Sequence, residues 1–262
     1  MMNTHLPLVS CLCVTREKPE FLARAIQCFL SQTYPNKELL VIYEDDDPPT
    51  RRLARSLKQE NIRVVEVPSF PKKTLGELRN ISIEACSGGY FCQWDDDDWY
   101  HNLRLEVQMN AIINNHKDAS ILAYWLMYDT VNNEAFLSLP NPWPGTILCN
   151  RNLFGNGLVY EARGKAEDTA FLVELMRRNC LVPIIMPALY IYAYHARNTW
   201  GYSHFGKMFS TAQRLPQEAC ELFRKIFSGE LSNDEASQLM LGKDMLGTID
   251  YFQQYKEEPL EY

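Results

Sequence analysis

Over the first hundred residues, continuous apolar runs alternate with stretches in which apolar positions recur at helical spacing. Leu8 to Val14 (LVSCLCV) is short, apolar and β-rich, the pattern of a buried strand. The polar turn Thr15 to Lys18 follows, and Pro19 suits the first position of a helix. Phe21, Leu22, Ala25, Ile26, Phe29 and Leu30 then predict an amphipathic helix that ends by Tyr34-Pro35-Asn36. Leu39 to Tyr43, Ile62 to Val67 and Tyr90 to Trp94 predict further strands. Leu53 and Leu57 mark one intervening helix. Leu75, Leu78, Ile81, Ile83 and Ala85 mark another, closed by Ser87-Gly88-Gly89.

Strand and helix in repeated alternation imply an α/β fold with a mostly parallel central sheet and right-handed crossovers. Ligands of open α/β sheets bind outside the carboxyl ends of the strands. Two acidic clusters fall at such ends: Glu44-Asp45-Asp46-Asp47 after the second strand and Asp95-Asp96-Asp97-Asp98 after the fourth.

Beyond these, His101 to His116 predicts a helix, and Ala119 to Tyr128 and Ala135 to Leu139 predict strands that need not be parallel. Asn141 to Gly145 reads as a rigid aromatic loop. Ala166 to Arg178 predicts a helix, and Leu181 to Tyr194 one or two short strands. From about Phe205 no β-rich run recurs, and Ser232 to Glu235 is a capping-box signature. Residues 205–262 are therefore expected to form a C-terminal helical appendage to a domain spanning residues 1–204.

The chain has 262 residues, enough for one large α/β domain or one domain with a small appendage. Lys and Arg number 26 against 33 Asp and Glu, so the net charge is 26 − 33 = −7. That balance argues against a nucleic-acid partner, which requires a basic face. The stretch from Leu181 to Tyr194 is broken by Pro183 and Pro187 and falls short of the roughly 20 apolar residues of a membrane span. The N-terminal residues lack the pattern of a signal peptide. The eight cysteines show no metal-knuckle pairing and read as reduced core residues, consistent with a cytoplasmic protein.

The aspartate run carries the densest chemistry. In an extended chain Asp95 and Asp97 would share one face, Asp96 and Asp98 the other. Two unit charges about 4 Å apart repel by roughly 4 kcal/mol at an effective dielectric near 20. A buried cluster therefore needs a partner cation or partial protonation. Hard divalent ions take oxygen ligands and leave places for substrate phosphate. A solvated acidic loop is the alternative, and the flanking Trp94 and Trp99 speak against it.

Several segments, in order, resemble family 2 glycosyltransferases of the nucleotide-sugar-binding GT-A fold. They are Pro7 to Thr15 with Glu20 to Ile26 and Ser31 to Pro35, Leu75-Gly-Glu-Leu-Arg-Asn80, Trp94-Asp-Asp-Asp-Asp-Trp99 and the pair Glu167-Asp168. The resemblance covers roughly residues 7–200. It implies a Rossmann-like GT-A domain that moves a sugar from a nucleotide-diphosphate donor, with UDP as the expected nucleotide, to an acceptor hydroxyl with inversion. A divalent cation (Mn2+ or Mg2+) would neutralise charge on the leaving diphosphate.

By that resemblance Asp168 is the expected catalytic base, and Glu167 positions acceptor or donor sugar. Asp95 is expected near the ribose, with Asp96 beside it on the donor side. Asp97 is expected on the metal, Asp98 assists it and His195 completes the shell; the all-aspartate run leaves that register open by one residue. Thr15 and Arg16 line the base and ribose pocket. Glu44 aligns with the base-contacting acid, with Asp45 as the alternative. Arg79 approaches phosphate or pairs with the aspartates. Trp143 and Trp200 are candidate sugar platforms. Each has a plainer reading: a helix cap for Asp168, an acidic turn for Glu44 and Asp45, a surface ion pair for Arg79, and packing for His195 and the tryptophans.

The resemblance further implies a glycan or glycoconjugate acceptor in surface polysaccharide assembly. The expected location is the cytoplasm or the inner membrane face, without a transmembrane segment; peripheral membrane contact and homodimerisation stay open. One competing class is a sugar-phosphate nucleotidyltransferase, but Thr15 to Pro19 contains no glycine to cradle a triphosphate. The other is a non-catalytic glycan- or partner-binding module on the same scaffold.

Overall fold

The computed structural model describes residues 6–155 and 157–241, so residues 242–262 of the expected appendage lie outside the described residues. The first half runs β1 (Val9–Val14), α1 (Pro19–Leu30), β2 (Lys37–Glu44), α2 (Pro48–Ser56), β3 (Ile62–Val67), α3 (Leu75–Ala85), β4 (Tyr90–Gln93), β5 (Trp99–Tyr100) and α4 (Arg104–Asn114). There follow β6 (Ala119–Leu122), β7 (Leu126–Asp129), β8 (Glu134–Leu137), β9 (Leu148–Asn150), α5 (Thr169–Arg177), β10 (Leu181–Ile184) and β11 (Tyr190–Tyr194). The chain continues through α6 (Tyr202–Thr211), β12 (Gln213–Arg214), α7 (Gln217–Ser228) and α8 (Asn233–Met240).

The main sheet has seven strands in the order β10-β6-β9-β4-β1-β2-β3. β4, β1, β2 and β3 are parallel, and only β9 runs against its neighbours. Its inner strands are covered on both faces. Val9, Cys11, Cys13, Leu39 and Val41 pack into one cluster with Leu22, Ala25, Ile26 and Phe29 of α1. Leu12 and Leu40 point the other way, toward Ile83 and Phe171. This two-sided burial explains why these strands read as continuous apolar runs. All eight cysteines are buried and free.

A second, five-stranded sheet, β12-β8-β7-β11-β5, was not foreseen. The expected single strand from Ala119 to Tyr128 is split: β6 lies in the main sheet and β7 in the second. The break falls at Trp125. Its ring stacks on Trp143 at 4.8 Å, and its backbone exchanges hydrogen bonds with Ser138. The expected helix from Ala166 starts only at Thr169, because Ala166 has φ +54°, outside the helical region. Helices α6 to α8 share the main apolar cluster through Phe205, Phe209, Phe223, Ile226 and Met240.

Candidate active site

Parallel strands deliver their carboxyl ends to one edge. Strand order reverses between β1 and β4, which opens a crevice there. A cavity of about 880 Å³ occupies this edge. Of the expected site residues, Thr15, Arg16, Glu44, Arg79, Asp95, Asp96, Asp97, Trp143, Glu167, Asp168 and Trp200 all line it. Asp45, Asp98 and His195 do not.

At the β2 end the acidic run divides its work. Glu44 is buried, with Arg16 Nη1 at 3.2 Å and the Lys72 ammonium on its carboxylate. Arg16 also pairs with Asp46 at 2.7 Å. Asp45 lies outside the cavity and accepts the Ser69 N–H at 2.9 Å. Asp47 caps α2 by accepting the Thr50 N–H at 3.0 Å. The carboxylate offered to the cavity is thus Glu44, not Asp45.

The four aspartates after β4 do not alternate as an extended strand would; the chain turns at Asp96 and Asp97, and each carboxylate finds a different partner. Asp95 accepts Arg79 Nη2 at 2.9 Å and Gln93 Nε2 at 3.1 Å. Asp96 accepts the Thr15 hydroxyl at 2.6 Å, which ties the end of β1 to that of β4. Burial and the charge of Asp97 push its pKa up.

Asp97 Oδ2 receives Lys18 Nζ at 2.8 Å and His195 Nε2 at 2.9 Å. Burial would raise this carboxyl, but the hydrogen bond from His195 and the Lys18 charge outweigh it and hold the pKa well below the usual range. Asp98 is fully buried; it takes the Tyr190 hydroxyl and the Ala193 N–H at 3.1 Å. Burial and the Asp97 charge raise its pKa well above the ordinary value. Asp98 thereby anchors the acidic turn to β11.

Opposite this turn lies the start of α5. Gly76 in α3 makes the approach close: a Cβ there would lie 1.8 Å from the Glu161 carbonyl oxygen and 3.2 Å from Glu167 Cβ. Arg79, buried in α3, donates from Nε to Glu167 at 2.8 Å and from Nη2 to Asp95, bridging the two acidic segments. Asp168 is the residue before α5, yet its carboxylate makes no capping bond to the helix. Burial and the adjacent Glu167 raise its pKa to about 6. The Asp168 carboxyl thus lines the cavity without capping α5 and with a pKa raised toward neutrality.

The far wall is aromatic. Trp143 donates from Nε1 to the Tyr190 hydroxyl at 3.3 Å and packs on Tyr192. Trp200 stacks on His204 at 4.4 Å, and Lys165 Nζ lies 5.0 Å from the Trp200 ring centre. Both tryptophans pack against protein and still present surface to the cavity.

Among the described residues no group of three or more His, Cys, Asp and Glu side chains is arranged to hold a metal ion. The donor set still fits a hard divalent cation that shares its shell with phosphate, since such ions often take one or two carboxylates plus substrate oxygens. Asp97 supplies one carboxylate. His195 Nδ1 accepts the Arg197 N–H at 3.2 Å, so Nε2 carries the proton; it becomes a ligand only once that proton moves to Nδ1.

Sequence reasoning found Arg16 and Arg79 but missed the lysines and Arg24. Lys18, Lys72 and Lys73 line the cavity. Arg24 donates to the Asp97 carbonyl at 2.7 Å. The available signal was position: Lys18 directly precedes Pro19, at the carboxyl edge of β1.

Comparison with known proteins agrees with this architecture. The chain is 27% identical over 112 residues to an uncharacterised glycosyltransferase of Haemophilus influenzae, matching 43% of this chain and 45% of that one. It is 26% identical over 130 residues to the Escherichia coli protein WfgD, named as a UDP-Glc:alpha-D-GlcNAc-diphosphoundecaprenol beta-1,3-glucosyltransferase, matching 50% and 49%. The chain thus spans about half the length of these relatives. Among solved structures, S. aureus TarS 1-349 in complex with UDP has a TM-score of 0.58 at 15% identity, over 90% of this chain and 76% of that one. The mannosyltransferase PcManGT of Pyrobaculum calidifontis, in complex with GDP-Man and Mn2+, has 0.56 at 14%, over 98% and 77%. The model of glycosyl transferase family 2 matches residues 10–165, and the chain belongs to that family.

Proposed function

We propose that the protein is an inverting glycosyltransferase that moves a sugar from a nucleotide-diphosphate donor, a UDP-sugar, to an acceptor hydroxyl. One observation carries the reading: the Asp168 carboxylate, which makes no capping bond to α5, lines the same cavity as Asp97. The cavity volume of about 880 Å³ is ample for a nucleotide sugar. Thr15, Arg16 and Glu44 would hold base and ribose, with Asp95 and Asp96 on the ribose side. Glu167 and Arg79 would orient the sugar, and Trp143 and Trp200 would offer apolar platforms to donor and acceptor rings.

In this reading Asp168 takes the proton of the acceptor hydroxyl as its oxygen bonds to the anomeric carbon. The bond from that carbon to the diphosphate oxygen breaks, and the nucleoside diphosphate leaves. Attack from the face opposite the leaving group inverts the configuration. A divalent cation, held by Asp97 and His195, would supply neutralising charge for the leaving diphosphate. The domain expected over residues 1–204 would be the catalytic unit, with the described part of the expected appendage, as far as residue 241, packed on it through α6 to α8 and joined to its second sheet by β12. The names of two relatives, the diphosphoundecaprenol glucosyltransferase WfgD and a putative teichuronic acid biosynthesis glycosyltransferase of Bacillus subtilis, support a role in surface polysaccharide or glycoconjugate assembly.

Calorimetric titration with UDP, GDP and ADP, each with and without Mn2+, tests the reading. Binding of UDP that requires Mn2+ is the expected result; equal or absent binding of all three would overturn the donor assignment. Anomeric analysis of the transfer product then tests inversion.

A further inference from the structure

Lys18 sits where an incoming divalent cation would have to go. Its ammonium is 2.8 Å from Asp97 Oδ2, the oxygen that also receives His195 Nε2, and 3.8 Å from Asp96 Oδ1. The side chain is largely buried, at 16% exposure, and the Asp97 carboxylate is 13% exposed. Arg24 donates to the Asp97 backbone carbonyl at 2.7 Å, and His195 Nε2 engages the carboxylate oxygen that Lys18 meets. Lys18 also lines the cavity in which a diphosphate would lie.

We propose that Lys18 is a built-in competitor for the divalent cation, which releases Asp97 only when a nucleoside diphosphate is present to receive its ammonium. This rests on the metal-dependent reading above. A cation taking Asp97 Oδ2 must displace the ammonium from that oxygen. One taking Oδ1 would still face an unscreened like charge a few ångströms away. Once released, the ammonium needs an anion, and the donor diphosphate is the anion that enters this cavity. Cation and diphosphate therefore bind in mutual support, and the coupling is reciprocal. The free protein keeps a low affinity for the ion, and the complete cation site assembles only around the donor. Lys18 does so from the residue before α1, where its backbone is fixed and its side chain alone needs to move.

The test is Mn2+ affinity, read by electron paramagnetic resonance of free Mn2+, for the whole protein with and without UDP. Wild type is expected to bind Mn2+ weakly alone and at least tenfold more tightly with UDP. Lys18→Met should bind Mn2+ alone at least tenfold more tightly than wild type and lose most of the gain from UDP. Lys18→Arg, which keeps the charge, should resemble wild type. Lys18→Gln repeats the neutral case should the Met variant fold poorly by circular dichroism. If both neutral variants bind Mn2+ alone no better than wild type, while UDP still strengthens wild-type binding, the competitor role is overturned and the metal reading survives. If Mn2+ binds no form, with or without UDP, both fall.

Discussion

The guanidinium of Arg24 lies 4.6 Å from the ring centre of Phe227, so a residue of α7 covers the cation that holds the acidic turn. Arg24 Nη2 donates to the Asp97 carbonyl, and burial works against the guanidinium charge. A flat aromatic face offsets part of that cost, by about 2 kcal/mol where the pair is desolvated. Phe227→Ala is therefore expected to lower stability by about 1–3 kcal/mol and to weaken Mn2+-dependent nucleotide binding. Phe227→Tyr should preserve both. Denaturant midpoints together with calorimetry on the two variants check this; an Ala variant with normal nucleotide binding would uncouple α7 from the site.

Asp168 provides a pH test. Its carboxyl, raised to about 6 by burial and Glu167, must be ionised to accept a proton. Transfer should therefore fall as pH drops through about 6 and level off above about 7. Asp168→Asn should lose about 10²–10⁴-fold in turnover while nucleotide affinity stays within a few fold of wild type. Rates measured from pH 5 to 8, beside calorimetry on the variant, separate the base from a binding residue. An Asn variant with normal turnover would move the base elsewhere.

Asp97 and Asp98 are adjacent and should respond in opposite ways to the same change. Asp98 accepts from the Tyr190 hydroxyl and the Ala193 N–H and has its pKa raised. An amide there can accept from Ala193 and donate to the Tyr190 oxygen. Asp98→Asn is expected to fold and keep most of its nucleotide affinity, whereas Asp98→Ala strands buried polar groups and should cost about 1–3 kcal/mol. Asp97→Asn removes the charge that holds Lys18 and should abolish the effect of Mn2+ on UDP binding. Equal loss in both Asn variants would place Asp98 in the cation shell after all.

The convergence of Thr15, Glu44 and Asp95 to Asp97 was legible because parallel strands buried on both faces read as unbroken apolar runs, and their ends are then all on one edge. The split between the two sheets was hidden for the same reason. From Ile121 to Met127 almost every residue is apolar, so no polar punctuation marks the bend at Trp125. The lysines escaped notice because a lysine in a polar turn looks the same in sequence whether it faces water or a carboxylate. Lys18 and Lys72 differ from a solvated lysine such as Lys58 only in what the fold places opposite them. Likewise Phe227 fits any amphipathic helix, and its contact with Arg24 joins residues 203 positions apart.

His101 gives the C-terminal helices a pH signature of their own. Its Nδ1 accepts the Leu103 N–H at 3.0 Å, so Nε2 carries the proton and donates to the Ser237 carbonyl of α8 at 3.0 Å. Both nitrogens are engaged in the neutral ring. Burial lowers its pKa to about 4, against an unfolded value near 6.5. A depressed histidine pKa means that the unfolded chain takes up the proton first. The contribution is therefore fully present above about pH 6.5 and is lost as pH falls from there toward 4. At about 1.4 kcal/mol per pH unit, the loss by pH 4.5 is on the order of 2–3 kcal/mol. Urea unfolding at pH 7 and 4.5 should show this drop in wild type. In His101→Gln, which lacks the titrating group but can still donate to Ser237, stability should be lower at pH 7 and fall less between the two values. A slope unchanged by the substitution would assign the acid sensitivity to the carboxylates instead.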